Sequence, residues 1–548
     1  MRAVALLVAL VALHPAVARA RVGAVASEHP LAAAAGAEIL RAGGTVVDAA
    51  IAAATTVCVV HPASCGIGGG GFALVRLADG SVAALDYREV APAGLTPARL
   101  RVDGNPSDAL LRTGGLAVGV PGDVAGIVAL HRRFGQLPLA RDLAPAIRVA
   151  RDGFRLGDAP HLRSEIERAR TLLAGDAGLA RTFLAPDGGV PDAEFRVVQP
   201  DLAVTLEAIA ARGTAGFYRG SIADGIAATV AARRGVLTAA DLARYRPRWR
   251  RALHGGFRGR SVITFPPPGS GGVLLEMLGV LARDDLAALG AGSPTLLHLV
   301  AGAMAQGFVD RARWYGDPAF TTVPLRALLA PPRLPTLRAG LSAIRVSEPH
   351  ALVLPESGTA HVSVVDADGN AAAITTTINT SFGAGILVPG TGIVLNNELD
   401  DFAIAPDVPN AFGLTGGMAN AVAPGKRPQS SMSPTIVLAG RRPELVVGGS
   451  GGPTIISGTL QVVLGTIALG RPLADAVDAP RIHDQATPPA LAIEAGIDAT
   501  TRAALERLGH RLSILPRIGT VSAVGLGADG VPVAAGDARK DGGAVVVR

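Results

Sequence analysis

Thr359 follows Gly358 at the head of an alternating run, Thr359-Ala360-His361-Val362-Ser363-Val364-Val365-Asp366. A threonine hydroxyl attacks a carbonyl only when a base takes its proton. No serine–histidine–aspartate set lies close by in the chain to supply one. The simplest activated form is a free N-terminal threonine, whose own α-amine accepts the proton. That form requires a cut between Gly358 and Thr359. Gly358, lacking a Cβ, lets the backbone take the strained geometry such a cut needs. A second nucleophile competes on sequence grounds. Gly448-Gly449-Ser450-Gly451-Gly452 fits the G-x-S-x-G elbow of serine hydrolases, with Asp475, His483 and His510 downstream. That elbow needs a strand before it and a helix after it, and Leu445-Val446-Val447 supplies a candidate strand.

These residues need elements to hold them. Val362 to Thr377 alternates and turns at Asp368-Gly369, which predicts a hairpin with Thr377 one strand across from Thr359. The same design occurs at Phe72 to Arg88, turning at Asp79-Gly80, and at Val521 to Ala535, turning at Asp529-Gly530. Two small-residue helices open the mature chain, about Leu31 to Arg41 and Val46 to Val59, ended by Gly43-Gly44 and His61-Pro62. Gly66 to Gly71 lacks the Lys-Ser/Thr of a phosphate loop and reads as close backbone packing. Residues 125–345 are mostly of helical pattern. Arg333 to Ser357 is polar and proline-bearing, and reads as an exposed loop leading to Thr359. Strand pairs with packed helices imply sheets between helical layers, an α+β fold whose layer order the pattern leaves open.

Composition narrows the function classes. The chain has 548 residues, enough for two domains or interlocked subdomains; 49% are hydrophobic and 18% charged, which fits a large buried core. The net charge is +6, and basic pairs such as Arg132-Arg133, Arg233-Arg234 and Arg250-Arg251 are scattered along the chain. Nucleic-acid binding needs one concentrated stripe, so those pairs read as solvated surface. Residues 1–20 read as a signal peptide: Arg2, an apolar run from Ala3 to Ala12, and an Ala18-Arg19-Ala20 cleavage site. The expected location is periplasmic or secreted, with no stable membrane span. Cys58 and Cys65 are either a disulfide or two buried thiols, and spacing does not decide. There is no Cys-x-x-Cys, His-Glu-x-x-His or calcium loop, so no metal or cofactor is expected.

Ordered segments along nearly the whole chain resemble the γ-glutamyltranspeptidase family. They include Asp86-Tyr87-Arg88-Glu89, Gly119-Val120-Pro121-Gly122, Asp310-Arg311, Gly358-Thr359-Ala360-His361, Asn396 to Phe402, Arg427 to Thr435, and Gly448 to Gly452. The resemblance implies a four-layer αββα N-terminal-nucleophile hydrolase sandwich. It implies a self-cutting precursor with a large subunit, 21–358, and a small subunit, 359–548, paired as a heterodimer. Thr359 would attack γ-glutamyl compounds such as glutathione and pass the γ-glutamyl group to water, amino acids or peptides. On the same resemblance Thr377 steadies the nucleophile, and Gly451 and Gly452 supply oxyanion N–H groups. Arg88, Ser430 and Ser431 would take the donor α-carboxylate. Glu398, Asp401 and Asn379 would take its α-ammonium. Cephalosporin acylases share the fold, and their acyl group is one alternative; a Ser450 esterase and a non-enzymatic binding protein that never processes are others.

The resemblance also makes 407–418 a lid, with Phe412 where bacterial relatives often carry tyrosine. Phe412 covers the site without a hydroxyl contact, which favours water over amine acceptors. In Phe412→Tyr the ratio of hydrolysis to transfer is expected to fall; an unchanged ratio rejects this reading.

Overall fold

Three Asp-Gly pairs close three hairpins, because glycine accepts the left-handed backbone each turn needs: φ is +96° at Gly80, +88° at Gly369 and +78° at Gly530. The structure, a computed structural model, describes residues 20–341, 357–406 and 408–548. All but the last residue of the expected signal peptide lie outside these, as do residues 342–356 of the loop before Thr359.

Thirteen strands build the two main sheets among the described residues. The first six are β1 (Gly23–Ser27), β2 (Gly70–Arg76), β3 (Val82–Asp86), β4 (Arg248–Arg250), β5 (Leu253–Phe257) and β6 (Arg260–Thr264). The rest are β7 (Ser357–Asp366), β8 (Ala371–Thr380), β9 (Thr435–Ala439), β10 (Arg442–Ser450), β11 (Thr520–Leu526), β12 (Pro532–Ala535) and β13 (Gly543–Val547). One sheet runs β13-β1-β7-β8-β2-β3-β4, the other β12-β11-β10-β9-β6-β5, and every pairing is antiparallel. Strands from before and after Thr359 interleave: β1 lies between β7 and β13, and β2 pairs with β8.

The sheets face each other across a core of alternate inward residues, with Phe72 of β2 stacked on Phe265 at 4.2 Å. Helices cover the outer faces. On the seven-stranded side these include α1 (Pro30–Arg41), α2 (Val46–Val60) and α3 (Asp123–Phe134); on the other, α4 (Gly271–Leu281), α5 (Pro294–Trp314) and α6 (Thr454–Val463). Helix α2 is buried all round, which explains its run of Ala and Val. Thr45 and Asp48 cap it reciprocally, and a Cys58–Cys65 disulfide ties its last turn to the next loop. No helix among the described residues is long and apolar enough to cross a membrane.

Four expectations change. The first element is strand β1, not a helix. The stretch 125–345 is not purely helical, since it supplies β4, β5 and β6; β5 and β6 turn at Arg258-Gly259, where φ is +48° and +74°. Part of the expected exposed loop is the helix Arg333–Gly340. Ion pairs hold it down: Arg333 with Glu276 at 2.9 Å and with Asp310, and Arg338 with Asp284 at 2.7 Å. Of the basic pairs, Arg250 is not free surface but pairs with Asp86 and Asp317.

The glycine run after α2 is close packing, as its composition suggests. A Cβ would lie 2.2 Å from Val394 O at Gly68, 1.9 Å from Thr377 O at Gly69 and 2.2 Å from Thr375 O at Gly71. At Gly66 nothing stands within 4 Å. Gly69→Ala is therefore expected to lower the apparent unfolding midpoint by about 5 °C or more, while Gly66→Ala leaves it within about 1 °C. Equal midpoints for the two variants, read by thermal melting, would contradict this packing.

Candidate active site

Thr359 sits at the start of β7, only 3% exposed, and the ladder to β8 shifts register between Gly358 and Thr359. The shift brings the Thr359 and Thr377 hydroxyls to 3.0 Å. Thr377 Oγ1 donates to Gly358 O at 2.8 Å and accepts the Asn379 N–H at 2.9 Å. A hydroxyl has one proton and two acceptor sites, so Thr359 must be the donor in the hydroxyl pair. Gly358 is required by crowding: a Cβ there would lie 2.4 Å from Thr380 O. Its φ is not left-handed, so close approach replaces the strain argument made from sequence.

A buried ion pair grips the same turn of backbone. Lys540 Nζ donates to Thr359 O at 2.8 Å and pairs with Glu28 Oε2 at 2.6 Å. Glu28 Oε1 accepts the His361 N–H at 2.9 Å. Burial pushes the Glu28 carboxyl up, and Lys540 opposes that shift. Removing one partner of such a pair costs about 3–5 kcal/mol, because the other charge stays buried. The His361 ring lies between Thr375 Oγ1 at 2.8 Å and Ser363 Oγ at 3.0 Å, and burial pushes its pKa down to about 3. It is a neutral linker and not a base.

Beyond Thr377, the acidic turn 398–401 faces Arg88. Arg88 is 1% exposed and pairs through Nη1 with Glu398 and through Nη2 with Asp401 at 2.6 Å. Its remaining bonds go to Pro428 O at 3.3 Å and Gln429 O at 2.9 Å. Burial pushes Glu398 up to about 7 and raises Asp401, while Arg88 pulls both back. Asn379 is buried with φ +79° and donates from Nδ2 to Asn397 O at 3.1 Å. The expected carboxylate and ammonium groups of the site thus form one network, with Arg88 shared between two acids.

The serine pair stands on the segment beside Arg88. Ser430 Oγ accepts the Met432 N–H at 3.2 Å, and Ser431 Oγ accepts from Arg311 Nη2 at 3.1 Å. Gly451 and Gly452 have φ of +126° and +58° in the turn between β10 and α6. Neither N–H donates to another described residue. Phe412 covers this turn: a Cβ on Gly452 would lie 2.7 Å from its Cε1. Asn410 Nδ2 holds Asp401 Oδ1 at 3.0 Å, and Gln485 Nε2 holds Phe412 O at 3.1 Å. Asp407, the first residue of the expected lid, lies outside the described residues.

The Ser450 alternative fails for want of a base. A strand and a helix do flank Ser450, as the elbow requires. His483, however, is bonded to Ser457 Oγ at 2.7 Å and Gln485 Oε1 at 3.0 Å, and His510 to His298 at 2.7 Å. Ser450 itself is buried beside the Glu28 carboxyl. Sequence reasoning missed Glu28, Lys540, Asn410 and the contacts of Arg311. The scarcity of lysine, two residues in the chain, was the one available signal for Lys540.

The chain is similar to known proteins over nearly its whole length. The family model described as gamma-glutamyltranspeptidase matches residues 32–547. The glutathione hydrolase proenzyme of Escherichia coli is 38% identical over 535 residues, covering 96% of this chain and 91% of that protein. The crystal structure of cephalosporin acylase from Bacillus halodurans aligns with a TM-score of 0.83 and 30% identity, over 99% of this chain and 100% of the other. The gamma-glutamyltranspeptidase of Helicobacter pylori aligns with a TM-score of 0.55 and 36% identity, over 57% of this chain and 90% of that one. The two-sheet sandwich is thus that of the N-terminal-nucleophile hydrolases. With the threonine pair, the acidic turn and the paired glycines all in place, the chain belongs to the γ-glutamyltranspeptidase family.

Proposed function

We propose that the chain is a precursor that cuts itself between Gly358 and Thr359 and then works as a γ-glutamyl hydrolase and transferase on glutathione and related amides. The observation that carries this is the Thr359–Thr377–Gly358 arrangement. Thr377 polarises the Gly358 carbonyl and, by accepting the Thr359 O–H, orients Thr359 Oγ1 for attack on it. The C–N bond breaks as the hydroxyl proton passes to its nitrogen, giving the free Thr359 amine and an ester on Oγ1; water then hydrolyses the ester, releasing the Gly358 carboxylate and restoring the hydroxyl. Lys540, holding Thr359 O, keeps the new N-terminus in place. Large (21–358) and small (359–548) subunits remain paired through the interleaved sheets.

The freed amine takes the Thr359 proton as Thr359 attacks the donor γ-carbonyl. Gly451 and Gly452 N–H groups receive the developing oxyanion. The amine product leaves with the proton, and water or an amino acid or peptide then takes the γ-glutamyl group. Glu398, Asp401 and Asn379 bind the donor ammonium; Arg88, Ser430 and Ser431 bind its carboxylate. An acylase acting on glutaryl groups has no use for that acidic pair, because a glutaryl group lacks the ammonium. Periplasm or medium is the location this reading carries.

The first measurement is a denaturing gel with N-terminal sequencing. Fragments of roughly 34 and roughly 19 kDa, in proportion to length, are expected, the smaller beginning Thr359-Ala360-His361. The processed enzyme should release p-nitroaniline from γ-glutamyl-p-nitroanilide faster than from glutaryl-p-nitroanilide, and Thr359→Ala should stay one inactive chain. An intact, inactive wild-type chain rejects the proposal; faster turnover of the glutaryl compound favours the acylase. Separately, Thr377→Val should slow self-cleavage about a hundredfold or more, followed as band conversion over time, while Thr377→Ser processes within about tenfold of wild type. Normal processing of Thr377→Val would remove Thr377 from the reaction.

A further inference from the structure

Arg311 lies on α5 and is 4% exposed. Taking a guanidinium out of water is unfavourable unless an opposite charge accompanies it. Arg88, Arg427 and Arg481 are buried as deeply, and each sits against a carboxylate. Among the described residues, no carboxylate lies within ion-pair distance of Arg311. Its donors go to hydroxyls instead: Nε to Ser270 Oγ at 3.2 Å and Nη2 to Ser431 Oγ at 3.1 Å. Ser270 passes the polarisation on, donating to Ser430 O at 2.6 Å. Burial pushes the Arg311 pKa down to about 10, which still leaves it charged at neutral pH.

Both residues of the serine pair therefore lean on one cation that has no carboxylate in direct contact. A hydroxyl that accepts from a guanidinium turns its proton elsewhere, so Ser431 is left as a donor. Arg311 belongs electrostatically to the same pocket, attracted by Asp401 and opposed by Arg88.

We propose that Arg311 is a positioning residue for the donor α-carboxylate, supplying its counter-charge and aiming the Ser431 O–H at it. The assignment rests on the γ-glutamyl reading above and deepens it. Arg311 touches the donor only through Ser431, so its role is selective: it acts on carboxylate-bearing donors and not on the attack by Thr359.

The test uses the processed enzyme and three p-nitroanilides: γ-glutamyl, with both groups; glutaryl, with the carboxylate alone; and 4-aminobutanoyl, with the ammonium alone. In Arg311→Met, KM for the γ-glutamyl anilide is expected to rise about tenfold or more with kcat within about threefold. The kcat/KM preference for γ-glutamyl over 4-aminobutanoyl anilide should collapse by the same factor. Arg311→Lys, which keeps the charge, should recover part of it. Combined with Ser431→Ala, the loss should fall short of the sum of the single losses, as for residues acting in series. If Arg311→Met does not process, Arg311→Lys and Ser431→Ala alone decide by the same ratios. Equal loss on all three anilides, a fall in kcat alone, or full additivity with Ser431→Ala would overturn the assignment. Wild-type enzyme that is processed yet inactive on γ-glutamyl anilide would instead reject the underlying reading.

Discussion

The Thr377 hydroxyl has no freedom left, and the geometry around the cut is arranged to keep it so. Its proton goes to Gly358 O and its lone pairs take the Asn379 N–H and the Thr359 O–H. Asn379 aims its N–H backward only because its backbone is left-handed, at φ +79°. Asparagine tolerates that region better than most residues, and its side-chain bond to Asn397 O helps hold it there. On the other side, Gly69 lets the neighbouring backbone press against Thr377 O. A nucleophile is thus oriented by backbone geometry on two strands, with no histidine taking part.

Charge is handled with equal economy of means. The site carries several acids and arginines with almost no solvent contact, and three of the acids are paired with a specific cation instead of water. Glu28 relies on Lys540, and Glu398 and Asp401 rely on Arg88. Such pairs contribute little net stability, since desolvation offsets most of the attraction. Their value lies in direction: they fix where the Thr359 carbonyl, the acidic turn and the lid sit relative to one another. Asn410 makes that coupling explicit by tying the Phe412 segment to Asp401.

Much of this was legible in the chain because its signals are local. Asp-Gly turns with alternating flanks predict all three hairpins, Thr359 stands out at a strand head behind glycine, and the glycine run reads correctly as close packing. What escaped is non-local or masked. The β5–β6 ribbon hides behind Gly255-Gly256 and a turn at Arg258-Gly259 that breaks its alternation. Glu28 and Lys540 are 512 positions apart, and no window of sequence joins them. The G-x-S-x-G elbow misleads for the converse reason: its local context is genuine, but the bases it needs are occupied elsewhere. The pairing of Arg88 with Glu398 and Asp401 is equally remote in the chain, and no local window announces it.

The interleaving of strands has a consequence for refolding. While the backbone is whole, β1 finds its place between β7 and β13 by an intramolecular search. In the cut form proposed above, the same register would be reached only by two separate molecules meeting, without the high effective concentration that covalent linkage provides. The information for assembly is spent in a single use. Such a two-chain form would persist by the height of its unfolding barrier and not by its ability to re-form, so its working lifetime would be set by a rate.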